Sequence, residues 1–199
     1  MMKIACLGWG SLIWKSGSLP VAGEWQTDGP LLPVEFSRVS DGGELATAIC
    51  MNAPAVPVLW AWLNAETLSV ACQALREREG IPEERCDGIG SLLIAGRHTG
   101  LLSRWAAERG IEAVIWTGLP PRSASLEGRV PTVDEAIAWL DSLSGEARQH
   151  ARDYIDRVPE QIDTPLPASH KRGAGVVTSP QFIYQYSFQL WVKRTSAST

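Results

Sequence analysis

A chain of 199 residues, 45% hydrophobic and 20% charged, is long enough for one domain with a sizeable core. Its net charge of −4 and the lack of any basic run argue against a nucleic-acid surface or a membrane-binding face. Cys6, Cys50, Cys72 and Cys86 have no paired spacing, and the opening residues lack the basic region and long apolar core of a signal peptide, so reduced thiols in a cytoplasm are expected.

A first strand is expected near residues 3 to 9, and it breaks at once into Gly8-Trp9-Gly10-Ser11-Leu12-Ile13-Trp14. Glycines let the chain turn sharply and let a ligand approach main-chain N–H groups, so this loop is in outline a cradle for a carboxylate or phosphate. The dinucleotide fingerprint does not fit: Ile13 stands where a third glycine is needed, and Lys15-Ser16-Gly17-Ser18-Leu19-Pro20 where a helix is needed. Asp28 therefore carries little weight as a ribose partner. A nucleophile elbow does not fit either, because Ser11 is followed by Leu12 and Ile13. A plain tight turn between strands is the remaining alternative.

Residues 8–14 resemble the glycine-tyrosine-glycine-serine-leucine-isoleucine-tryptophan signature of the γ-glutamylcyclotransferase-like superfamily, and most of all its glutathione-degrading ChaC-type branch. The resemblance implies that Gly8, Trp9, Gly10, Ser11 and Leu12 form the loop whose amides bind the γ-glutamyl group of a small-molecule substrate. It also implies an α+β fold, a mixed sheet forming a small barrel with flanking helices, and no cofactor. Trp9 departs from the pattern: where the family has tyrosine, an indole N–H donates but cannot accept.

Further strands are expected near 31 to 39, 45 to 51 and 57 to 63, and then a helix with Asn64 as N-cap. Leu68, Cys72, Leu75 and Glu79 fall at spacings of four, three and four, which is one helix face. At about 100° per residue Glu79 lies some 40° from the line of Leu75, and Glu77 roughly 200° from it, facing solvent. A carboxylate closing an apolar stripe in the last turn of a helix is electrostatically suited to take up a proton. The other reading is a rim residue with its carboxylate in water. The family places its acid/base glutamate in a leucine, three residues, glutamate pattern often followed by glycine, and Leu75-Arg76-Glu77-Arg78-Glu79-Gly80 matches it; the resemblance thus implies that Glu79 is catalytic.

Strands are expected near 90 to 95 and 111 to 117, with a helix near 100 to 109 anchored by Trp105 and stopped by Gly110. Gly88-Ile89-Gly90-Ser91-Leu92-Leu93 echoes the opening loop without any repeat around it. His98, His150 and His170 are far apart in the sequence, so no metal is expected. The stretch 119–131 reads as a loop. Thr132-Val133-Asp134-Glu135 is a capping box for a helix through Trp139 and Leu140, and Ala147, Ala151, Tyr154, Ile155 and Val158 give the next helix an apolar face ended by Pro159. Residues 181–192 alternate aromatic and polar residues like a half-buried strand, in which Tyr184 and Tyr186 read first as core packing and second as residues that could line a pocket; His170-Lys171-Arg172 reads as a solvated turn.

The expectation for the whole chain is a single domain over 1–199 with a helical elaboration at about 131–159. Its expected activity is cyclisation of a γ-glutamyl compound to 5-oxoproline with release of an amine. The alternative is a binding module of the same fold that senses or carries a γ-glutamyl or acyl-amine metabolite without turnover.

Overall fold

The computed structural model describes residues 1–96, 100–163 and 192, so His98, the basic turn at 170–172 and, but for Val192, the strand expected over 181–192 lie outside the described residues. The elements in chain order are β1 (Ile4–Gly8), β2 (Val21–Gln26), β3 (Leu31–Val39), β4 (Leu45–Ile49), β5 (Ala55–Pro57), β6 (Leu59–Leu63), α1 (Leu68–Glu79), β7 (Ile89–Leu93), α2 (Leu101–Glu108), β8 (Ala113–Thr117), β9 (Arg122–Ser123), β10 (Leu126–Glu127), α3 (Val133–Ser142), α4 (Gly145–Arg157) and α5 (Glu160–Asp163). The class is α+β, and the strands divide into two mixed sheets rather than one. Two compact units result, residues 1–32 with 57–119, and residues 33–56 with the described residues from 120 onward.

In the first unit the sheet order is β2-β6-β1-β8-β7. Fully buried β1 lies at its centre, antiparallel to β6 with Cys6 opposite Ala61, and parallel to β8 with Cys6 opposite Ile115. Because strand side chains alternate, Ile4 and Cys6 share one face, and there they join Leu12, Ala71, Leu75 and Ile115 in one core. Leu68 and Cys72 pack against the same core, so the apolar stripe of α1 faces the sheet as its spacing predicts. The helix begins later than expected. Its cap is Thr67, which accepts the Val70 N–H, while Asn64 donates its own N–H to the Pro20 carbonyl.

The end of α1 is the feature that places Glu79. Gly80 takes the left-handed conformation at φ 63°, its N–H reaches the Glu77 carbonyl, and the Ile81 N–H reaches the Arg76 carbonyl. Gly110 closes α2 in the same way, at φ 66°, with Ile111 bonded back to Ala106. Trp105 is not the core anchor of α2: Ala106 is fully buried, and Trp105 is half-buried, edge-on to Trp60, with its indole N–H on the Asp28 carbonyl. An indole carries a donor that needs a partner, so a rim position suits it better than the dry centre. The echo at Gly88–Leu93 becomes strand β7, where a Cβ on Gly90 would fall within 2.1 Å of the Trp116 ring.

In the second unit β3 and β4 pair antiparallel, and β9 joins β3 in parallel with Arg38 opposite Arg122. The stretch read as a loop contains the two-residue strands β9 and β10, paired with each other. Arg38, 7% exposed, forks onto Glu127 at 2.8 and 3.0 Å and also donates to the Pro120 carbonyl, which fixes this hairpin against β3. The Tyr154 hydroxyl of α4 meets Thr47 of β4 at 3.0 Å, and its ring is edge-on to Phe36. Ala151, Ile155 and Val158 are buried as the helical spacing predicts, but Ala147 is exposed, because the first turn of α4 is exposed except for half-buried Arg148.

The capping box of α3 forms in both directions, with Thr132 accepting the Glu135 N–H at 3.2 Å and Glu135 accepting the Thr132 N–H at 2.9 Å. Thr132→Ala removes one of these bonds and should cost about 1 kcal/mol, lowering the thermal midpoint by about 2–4 °C. Calorimetry of the variant beside the wild type checks this, and an unchanged midpoint would show that the box contributes nothing.

Candidate active site

The glycine loop and the end of α1 belong to the same unit. Gly8, Trp9, Gly10 and Leu12 are buried and Ser11 is half-buried. Beyond Gly8 the chain closes into a turn, with the Ile13 N–H on the Gly10 carbonyl at 3.0 Å and the Lys15 N–H on the Ser11 carbonyl at 2.9 Å. The N–H groups of Ser11 and Leu12 donate to no acceptor among the described residues. Two neighbouring uncommitted amides in a tight turn are the elements of an anion cradle.

Gly8 is required by packing. A Cβ there would lie 2.6 and 2.8 Å from Cζ3 and Cη2 of Trp25 and 3.3 Å from Cγ1 of Ile13. The indole of β2 thus covers the strand end from which the loop departs.

Glu79 and Glu77 separate as helical geometry predicts. Glu77 is exposed, accepting a hydrogen bond from Gln73 one turn earlier at 3.0 Å, whereas the Glu79 side chain keeps only 15% of its accessible surface. The Glu79 carboxylate is not isolated. Its Oε1 receives Nη1 of Arg78 at 2.6 Å, and the same guanidinium reaches Ser11 Oγ at 3.2 Å and the Lys15 carbonyl through Nε at 2.9 Å and Nη2 at 2.5 Å. Arg78 therefore joins the expected acid/base residue to the expected substrate loop.

Arg78 is the residue that reading the sequence missed. Neighbours on a helix point about 100° apart and do not ordinarily face each other. Its main partner, moreover, is a backbone carbonyl 63 residues away, which carries no signal in the residue types. The one trace is the run Arg76-Glu77-Arg78-Glu79, which puts two cations in the last turn, where they offset the helix dipole.

Cys6 shares the face of β1 that packs under α1. Burial, and then the negative charge of Glu79, push its thiol far above the usual cysteine range. Cys86 is exposed by contrast. Iodoacetamide at pH 8 should alkylate Cys86 in the native protein and spare Cys6 until the chain is unfolded, as peptide mass mapping will show; labelling of native Cys6 would contradict its place in the core.

Asp28 has a structural partnership instead of a ribose. It accepts from Arg109 at 2.7 Å and from the Trp60 indole at 2.8 Å, and these hydrogen bonds, that of Arg109 foremost, hold its carboxyl below the usual range. Among the described residues no three His, Cys, Asp or Glu side chains gather as metal ligands, and no helix is long and apolar enough to cross a membrane.

No family model, curated protein or solved structure matches the chain, so the likeness of its glycine loop and helix end to γ-glutamylcyclotransferases rests on those residues themselves.

Proposed function

We propose that the chain is a γ-glutamylcyclotransferase-like enzyme that converts a γ-glutamyl amine to 5-oxoproline and the free amine, with its first unit as the catalytic sheet of that fold. The observation that carries this reading is the junction of Glu79 with the Ser11–Lys15 turn through Arg78, beside the uncommitted amides of Ser11 and Leu12.

A γ-glutamyl substrate brings its own nucleophile, which is why one carboxylate is enough. The α-ammonium group gives one proton to Glu79, and its nitrogen then attacks the side-chain carbonyl carbon to form the C–N bond of a five-membered ring; the second proton that ring closure releases leaves with the departing amine, which ends as an ammonium. The carbonyl oxygen becomes an oxyanion, and backbone N–H donors such as those of Ser11 and Leu12 are the groups that hold one. The bond to the departing amine then breaks, and Glu79 returns the proton to that nitrogen, acting first as base and then as acid. Ring closure within one molecule spares the entropy of bringing two reactants together.

Trp9 in place of tyrosine, and the ion pair already made by Glu79, favour a second reading: a module that binds a γ-glutamyl metabolite without turning it over. A panel of γ-glutamyl amino acids, glutathione and γ-glutamyl amines, followed by mass spectrometry for 5-oxoproline and by calorimetry for binding, separates the two. Equimolar 5-oxoproline and amine are expected from at least one compound. Binding without conversion selects the module, and neither binding nor conversion overturns both.

A further inference from the structure

We infer that Arg78 is a positioning residue, which clamps the substrate loop and holds one oxygen of Glu79 so that the other takes the proton; this rests on the cyclisation reading above. Four of the five N–H groups of the guanidinium are committed within the site, two of them to the Lys15 carbonyl, one to Ser11 Oγ and one to Glu79 Oε1. Both ends of the turn are held at once, because the Lys15 N–H already closes on the Ser11 carbonyl. The side chain reaches them past Gly17, at φ 59°, where a Cβ would sit 3.4 Å from Arg78 Cγ. With the Arg78 side chain only 10% exposed, this is a dry, multiply bonded arrangement unlike an ordinary surface ion pair.

The consequence for chemistry is an asymmetry in the carboxylate. Oε1 is occupied by Arg78, whereas Oε2 has no partner among the described residues. A base that enters the reaction with one oxygen fixed has its proton-accepting lone pair fixed as well. The turn that carries the amides of Ser11 and Leu12 is held by the same cation, through Ser11 Oγ and the Lys15 carbonyl, so base and cradle keep their spacing together. A lysine supplies charge but no planar fork, and cannot serve the Lys15 carbonyl, Ser11 and Glu79 simultaneously.

The test uses the full-length chain with Arg78→Ala, Arg78→Lys and the exposed-site control Glu77→Gln, on whichever γ-glutamyl compound the wild type converts. Arg78→Ala should lower kcat per folded molecule by about 10²-fold, the scale of a misplacement near 1 Å, and added guanidinium or methylguanidinium should restore part of it. Arg78→Lys should stay close to Arg78→Ala in kcat, and hydrogen exchange of the amides of residues 10–15 should quicken in both variants but not in Glu77→Gln. A structural role alone would lower the thermal midpoint and leave kcat per folded molecule and its response to guanidinium unmoved, which overturns the inference while the cyclisation reading stands. Should Arg78→Ala fail to fold, Arg78→Lys decides: near wild-type kcat overturns the inference. A wild type that converts nothing overturns the cyclisation reading, and this inference with it.

Discussion

Glu79→Gln should leave the fold and the binding of a γ-glutamyl ligand intact while lowering turnover by about 10²- to 10⁴-fold, the range for losing a general acid/base. The amide is nearly isosteric, and its oxygen can still accept the Nη1–H that Glu79 Oε1 accepts now, so the Arg78 clamp survives the change. Deleting one partner of a buried ion pair outright costs about 3–5 kcal/mol; here the arginine keeps an acceptor and loses only the charge opposite it, so the stability loss should be smaller. What an amide cannot do is take the proton of the attacking amine. The α-amino group then stays cationic, without a lone pair for the carbonyl carbon. Glu77→Gln is the matched control: it lies on the exposed face, its one hydrogen bond comes from Gln73, and an amide oxygen accepts that bond equally well. The comparison is read as kcat and ligand affinity for both variants. Full activity in Glu79→Gln would sink the acid/base role whatever the fold, and equal losses in both variants would point to a general perturbation of α1.

The features that were legible in the sequence are those written in periodicity and caps. β3 occupies residues 31–39 as its composition predicts, although Glu35 and Arg38 interrupt the apolar run and are buried there. The capping box at Thr132, the glycine stop at 110, and the opposite orientations of Glu77 and Glu79 follow from local chemistry alone. Strand β2 was not legible, because an edge strand with the burial of Val21–Gln26, mostly exposed and containing Gly23, shows no alternation to read. The Asn64 cap failed for a related reason: asparagine and threonine are both good caps, and the choice of Thr67 depends on Asn64 being tied to Pro20 far back in the chain. Partners remote in sequence explain the other omissions as well. Arg38 finds Glu127, and Arg78 finds Lys15, only after the sheets have formed. Of the candidate site, the loop and the glutamate are proposed from the sequence, whereas the cation that joins them is found only in the structure.

Gly8→Ala tests whether that site depends on packing as well as on charge. The added methyl would stand 2.6 Å from Trp25 Cζ3 and 2.8 Å from Cη2, well inside van der Waals contact, and 3.3 Å from Ile13 Cγ1. The strand cannot yield. β1 is paired on both sides, with residues 4–6 bridged to β8 and Gly8 opposite Leu59 of β6, so a shift of Gly8 disturbs the β6 ladder. The indole must move instead, from an edge strand whose register already slips between Ala22 and Gln26. Overpacking of this kind costs about 1–3 kcal/mol, which in a chain of this size lowers the thermal midpoint by about 2–4 °C per kcal/mol. Ile13 belongs to the turn that presents the Ser11 and Leu12 amides, so turnover should fall together with stability. Trp25→Leu removes the obstructing ring, and in the double variant the two losses should sum to less than their separate values, with a coupling of at least about 0.5 kcal/mol. Strict additivity would show that the indole is not what Gly8 accommodates, and wild-type stability in Gly8→Ala would show that the strand end has room to spare.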